Sequence, residues 1–152
     1  MKRISILAAL ALMMASGAAQ ADECETMATK IGESMDLVVH PRTAANFISM
    51  SPQDKDLWSD DGYGAYLNCG GTYGLNLRTL SPPDAPQQWY DFAVRAGSIL
   101  TKVAPTIVRD GIRQCVKTAS ASSYADLTLG GIHISCDVGG FNRVDLTIAR
   151  SF

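Results

Sequence analysis

Four cysteines, Cys24, Cys69, Cys115 and Cys136, are the strongest constraint on this chain of 152 residues. No two of them form a CxxC pair, so the sequence supports neither a zinc ribbon nor a thioredoxin-type redox site. An even number of cysteines in an exported chain reads first as a framework of two disulfides. Four cysteines allow three connectivities, and the choice depends on where each lies in the fold.

The expectation of export comes from the N-terminus. Lys2 and Arg3 precede the apolar run "ISILAALALMMA", and Ala19-Gln20-Ala21 has the small-x-small form of a signal-peptidase site. Residues 1–21 are therefore read as a signal peptide and residues 22–152 as one mature domain. The apolar run falls short of the roughly 20 residues needed to span a bilayer and leads directly into "DECE", so no membrane insertion is expected after cleavage. Losing Lys2 and Arg3 from 13 basic residues leaves 11 against 15 acidic ones, a mature net charge of −4. With the basic residues scattered singly, nucleic acid and anionic membrane surfaces are poor partners.

Helical spacing begins at Cys24, with Met27, Ala28, Ile31, Met35 and Val38 on one stripe that His40-Pro41 ends. Residues 42–62 read as irregular, with Ser51 and Pro52 able to start a short helix. "GYGAYLNCGGTYGLNLRTL" reads as a hairpin. Tyr63, Ala65, Leu67 and Cys69 share one face, and Tyr73, Leu75, Leu77 and Thr79 match them if Gly70-Gly71-Thr72 forms a three-residue loop. Trp89, Phe92, Ala93, Ala96, Ile99, Leu100 and Val103 make a second helical stripe, broken by Pro105. Val108, Ile112, Cys115, Val116 and Ala119 make a third.

The last third reads as a three-stranded meander. A two-residue turn at Gly130-Gly131 pairs Leu129 with Ile132, Leu127 with Ile134 and Ala125 with Cys136. After Val138 only a loop of odd length keeps the apolar sets aligned, and a bulged or longer turn is expected around Gly139-Gly140-Phe141. This register sends His133, Ser135 and Asp137 to the polar face beside Asp126, Thr128, Asp145 and Thr147. Alternate side chains on one strand stand roughly 7 Å apart at a rise of about 3.3 Å per residue, whereas a general base works at about 3 Å. The trio is a polar sheet face and not a triad, whose members come from separate elements.

Other constellations are equally bare of chemistry. "DKDLWSDDG" gathers Asp54, Asp56, Asp60 and Asp61 but has Trp58 and Ser59 where a calcium loop needs a carboxylate and a glycine. His40 and His133 lie on different elements without metal-ligand spacing, and the glycine pairs are not phosphate loops. No metal or cofactor is implied. The final "VDLTIARSF" resembles the terminal strand of bacterial outer-membrane barrels, in which apolar residues alternate up to a last Phe. The helical periods over residues 22–39 and 86–119 conflict with such a barrel, whose strands of about 9–11 residues run almost throughout.

The reading is thus an α+β fold: an antiparallel sheet, made of an N-terminal β-hairpin and a C-terminal meander, covered on one face by about three helices. Chain direction selects the disulfides. A strand ending at Cys69 and running antiparallel to the first helix finishes near Cys24, and the strand from Ile132 returns Cys136 alongside the helix that carries Cys115. The expected pairs are Cys24–Cys69 and Cys115–Cys136.

The leading functional expectation is a small periplasmic or secreted binding protein without catalytic activity: an inhibitor, an immunity-type partner or an envelope-associated module acting on another protein or an envelope component. Trp58, Asp60, Asp61, Tyr63 and Tyr66 form its candidate recognition patch, since aromatics beside acids on a connection suit such a role, although for Trp58 and Tyr63 packing onto the core is the favoured reading, aromatics being mostly buried. The alternative is a small hydrolase assembled only in the fold, with His133 or His40 as base.

Overall fold

Gly130 and Gly131 both take positive φ, +58° and +85°, and make the two-residue turn that sets the C-terminal register. In the computed structural model, which describes residues 23–52, 64–71 and 74–151, this turn joins β5 (Tyr124–Leu129) to β6 (Ile132–Val138). Leu129 pairs with Ile132, Leu127 with Ile134 and Ala125 with Cys136, as the alternation requires. The next connection, through a short turn of 3-10 helix over Gly140–Asn142, leads to β7 (Val144–Arg150). Val138 pairs with Val144, so Cys136 faces Leu146 and Ile134 faces Ile148. The odd parity of the loop matches expectation; its five residues, two more than the shortest option, shift each pair by two.

The described residues contain seven strands in one antiparallel sheet, ordered β1-β2-β3-β4-β7-β6-β5. The first four are β1 (Leu37–Val39), β2 (Phe47–Pro52), β3 (Ala65–Gly71) and β4 (Gly74–Leu80). Two of these correct the reading of the sequence. Helix α1, residues 23–35, stops at Asp36, which takes φ +54°, and Val38 lies in the edge strand β1 instead of on the helical stripe. Gly32, an apparent flaw in α1, has a reason: a methyl group there would collide with the Val39 side chain, so the glycine lets β1 fold back against the helix. Residues 47–52 form β2 instead of an irregular stretch, with Ile48 and Met50 drawn into the core at period two and Ser51 and Pro52 at its end; the rest of the short helix read from Ser51 lies outside the described residues. The β3–β4 hairpin has the expected faces, but Leu67 pairs with Leu77 and Ala65 with Thr79, two residues beyond the three-residue-loop register. Gly71 pairs with Gly74 across a two-residue connection, and a bulge between Asn68 and Gly71 shifts the register by one, which restores the expected faces.

Helices α2 (Gln87–Thr101) and α3 (Pro105–Ser122) form a helical hairpin. Lys102 ends α2 in the left-handed conformation and returns its N–H to the Ser98 carbonyl, and Pro105 opens α3, where its missing N–H costs nothing. Arg150 donates from Nε to the Thr101 carbonyl at 3.3 Å, setting a cation at the negative end of α2. All three helices lie on one face of the sheet. One core cluster joins α3 and part of α2 to β5, β6 and β7 through Trp89, Val108, Ile112, Ile134, Leu146 and Ile148. The other joins α1 to β2, β3 and β4 through Ile31, Met50, Leu67 and Leu77, and Phe92, Ala96 and Leu100 of α2 complete it. Helix α2 thus serves both halves of the core.

The disulfides are Cys24–Cys69, with Cα atoms 5.5 Å apart, and Cys115–Cys136, at 5.9 Å. Each ties a helix to a strand, one in each core cluster. The fold is α+β, and the disulfide pairing is the one that chain direction selects.

Candidate functional site

With the helices on one side, the other face of the sheet carries no helix among the described residues. Side chains alternate along each strand, and antiparallel pairing lines up the outward ones in rows. The central row runs Ser49, Tyr66, Arg78, Thr147, Ser135 and Asp126, from β2 across to β5. A neighbouring row brings Leu80, Asp145, Asp137 and Tyr124 together.

Arg78 is the pivot of this face. Asp145 is its diagonal neighbour across the β4–β7 seam, and the two form a two-pronged ion pair: Arg78 Nε donates to Asp145 Oδ1 at 2.7 Å and Nη2 donates to Oδ2. The guanidinium also sits over the Tyr66 ring, 5.7 Å from its centroid. Tyr66 is itself braced edge-on by Phe47, with centroids 5.6 Å apart and planes at 76°. The Asp145 hydrogen bond raises the Arg78 pKa above the ordinary guanidinium value. Burial pushes the Tyr66 phenol up; Arg78 opposes this and Asp145 adds to it.

Two hollows meet at Arg78 and Leu80, which line both. One, of about 580 Å³, is polar and is bounded by Tyr124, Ser135, Asp137, Arg143 and Asp145. The other, of about 390 Å³, lies on the aromatic side between Phe47, Ser49, Gly64 and Tyr66. The face therefore changes from aromatic and apolar at β2–β3 to charged at β7–β6.

Of the residues singled out from the sequence, Tyr66 lies in this face. Trp58, Asp60, Asp61 and Tyr63 fall outside the described residues, although Gly64, which follows Tyr63, borders the aromatic hollow. His133 faces outward as its register demands, yet its side chain is only 13% exposed and its Nε2 lies 3.4 Å from Asp126 Oδ2. Tyr124 donates its hydroxyl to the same carboxylate oxygen at 3.0 Å. On the far side of the sheet, His40 Nε2 lies 3.1 Å from Ser51 Oγ. One histidine thus has a carboxylate beside it and the other a serine. Ser51 on β2 and His133 on β6 are four strand spacings apart, roughly 19 Å or more.

Arg78, Arg143 and Phe47 were not singled out from the sequence, and Asp137 was read only as part of a polar sheet face. A charge at an outward strand position is ordinary, and nothing local marks Arg78 as the partner of a residue 67 positions away. Among the described residues, no group of three or more His, Cys, Asp and Glu side chains could hold a metal ion. No helix among them is long and apolar enough to cross a membrane. Comparison of the chain with protein-family models, with curated proteins and with solved structures finds no match.

Proposed function

We propose that this chain is an exported, non-enzymatic binding protein of the periplasm or the extracellular space, in the manner of an inhibitor, an immunity-type partner or an envelope-associated module. Its working surface is the helix-free face of the sheet. The observation that carries this reading is the fixed guanidinium of Arg78, held in plane by Asp145 and stacked on Tyr66 where the two hollows meet. Arginine and tyrosine dominate the energetic centres of protein interfaces, and a side chain already held in place loses little entropy on binding. Export rests on the leader-like N-terminus together with two disulfides, which persist in oxidising compartments.

Affinity capture from envelope extract with residues 22–152, the partner being identified by mass, tests the reading. Arg78→Gln and Tyr66→Ala each abolish capture of that partner. Arg78→Gln leaves the fold nearly as stable, because a partly exposed ion pair contributes at most about 1 kcal/mol. Capture unchanged in both variants overturns the assignment of this face. Recovery from the periplasmic fraction of a chain whose mass begins at Asp22 tests export separately.

A small hydrolase is the second reading, and the contact between His40 Nε2 and Ser51 Oγ favours it. Against it, Ser51 is only 6% exposed, which closes the hydroxyl to substrate. Ester or amide turnover by the purified chain that disappears in Ser51→Ala would establish the hydrolase in place of the binding protein.

A further inference from the structure

The two edges of the sheet are built differently. Strand β1 is three residues long and is followed by His40-Pro41, two devices that blunt an edge against pairing. Strand β5 closes the other edge with six residues, "YADLTL", which include no proline, lysine or arginine. Its pairing with β6 decides what that edge offers. Leu129 and Ile132 flank the two-residue turn, so Leu129, Leu127 and Ala125 exchange hydrogen bonds with β6, a pattern the Val138 N–H continues by donating to the Ser123 carbonyl at 2.8 Å. The N–H and C=O groups of Tyr124, Asp126 and Thr128 therefore point away from the sheet. Ser122 Oγ donates to the Tyr124 carbonyl at 2.7 Å, and among the described residues no strand pairs with the outward groups of Asp126 and Thr128.

The side chains along this edge specify what would fit it. On the outward face stand Asp126 and, one strand in, Asp137, with Tyr124 between them at the rim, 54% exposed. On the helix side Leu129 is 37% exposed and Leu127 is half-buried. An added strand would alternate in step with β5. Its outward residues would lie against the Asp126 carboxylate and the Tyr124 ring, with Asp137 one strand further in within reach only of a long side chain, and its inward residues against leucines. Basic side chains satisfy the first set, through charge and cation–π contact, and apolar ones the second.

We infer that the β5 edge receives an extended segment of a partner protein, alternating basic and apolar residues, which joins the sheet as an eighth strand. This rests on the binding-protein reading and concerns the backbone edge of β5, whose outward side chains Tyr124 and Asp126, with Asp137 one strand in, adjoin the Arg78 face.

The mature chain, titrated with the synthetic peptide acetyl-KVKVKVK-amide and followed by backbone amide chemical shifts, tests the inference. The expected result is saturable binding with the largest shifts at Tyr124–Leu129. Affinity falls at least tenfold for a peptide N-methylated at alternate residues on the edge that meets β5, and also in Thr128→Pro, which removes one outward N–H. Asp126→Lys weakens KVKVKVK by a similar factor and favours acetyl-EVEVEVE-amide, a reversal that loss of folding does not produce. Equal affinity for the N-methylated peptide, or shifts confined to other strands, overturns the inference. Sedimentation showing that the chain pairs with a second copy through β5 overturns it too, since the edge would then be self-occupied. Thr128→Pro, which alters the edge backbone and no residue lining the hollows, leaves capture of the Arg78-face partner unchanged, so failure of the edge and failure of the face are distinguishable.

Discussion

The indole N–H of Trp89 donates to the hydroxyl oxygen of Thr79 at 3.2 Å, and Thr79 passes its own proton on to the Gly64 carbonyl at 2.8 Å. Both side chains are fully buried. The contact ties α2 to β4 and to the first residue described before β3, in the interior where an unmatched donor is costly. Thr79→Val keeps the shape and removes the acceptor. It should lower stability by about 1–3 kcal/mol, the cost of a buried N–H left without a partner, read as a shift in the urea midpoint at constant slope. A change below about 0.5 kcal/mol would mean that the indole finds another acceptor.

The disulfides span 45 and 21 residues, and in the chain-entropy account each stabilises by restricting the unfolded chain, by about 4 and about 3 kcal/mol respectively. Non-reducing peptide mapping should return Cys24 linked to Cys69 and Cys115 linked to Cys136. Replacing both members of a pair by alanine should cost approximately those amounts, the longer loop more. A peptide joining Cys69 to Cys136 would contradict the topology.

Tyr66 and Tyr90 are both pushed above the ordinary phenol value, chiefly by burial. A raised pKa means that the fold favours the neutral phenol. The stabilisation is complete below the unfolded value of about 10 and is lost as pH climbs through the raised folded values. Stability should therefore decline above pH 10, and absorbance at 295 nm should show two tyrosines ionising late. In the double variant Tyr66→Phe, Tyr90→Phe the late absorbance step should vanish and the alkaline decline should shrink.

Phe141 stands in the left-handed region at φ +60° in the β6–β7 turn and is 85% exposed. The turn is pinned there: the Asp84 N–H donates to the Phe141 carbonyl at 3.2 Å, and Asn142 Nδ2 donates to Asp84 Oδ1 at 2.9 Å. A bulky residue in this conformation costs about 1–2 kcal/mol, with little packing in return. Phe141→Gly should raise stability by roughly 1 kcal/mol in thermal or urea melts. If the partner is also captured less well, the strain is retained for recognition, since Gly140 and Arg143 on either side border the polar hollow.

Much of the sheet was readable because its signals are local. The Gly130-Gly131 turn, period-two alternation and coincident apolar sets give the β5–β6 register to the residue. The stripes from Trp89 and from Val108 locate α2 and α3, and the cysteines fall on inward positions of elements whose directions imply the pairing. Strands β1 and β2 were not readable. Leu37–Val39 is too short to show a period, and the serine and proline at the end of β2 look the same as a helix start. The β6–β7 connection has the expected odd parity and a different length, because alternation repeats every two residues and cannot distinguish a loop from one two residues longer; the β3–β4 connection is even and keeps the expected faces only through its bulge.

By itself, then, the sequence determined the inward residues of α2, α3 and the strands from β3 onward, the faces of the two hairpins they form and which cysteines meet, all consequences of periods and turns within a few neighbouring residues. Only the tertiary structure decided that β4 lies beside β7, which seats Arg78 on Asp145 across 67 residues of chain, and that β5 is left at the edge. Strand order depends on how three helices share one face of the sheet, with α2 bridging two core clusters. No local pattern encodes that arrangement, because the apolar stripe of a helix specifies that it must be covered but not by which strands.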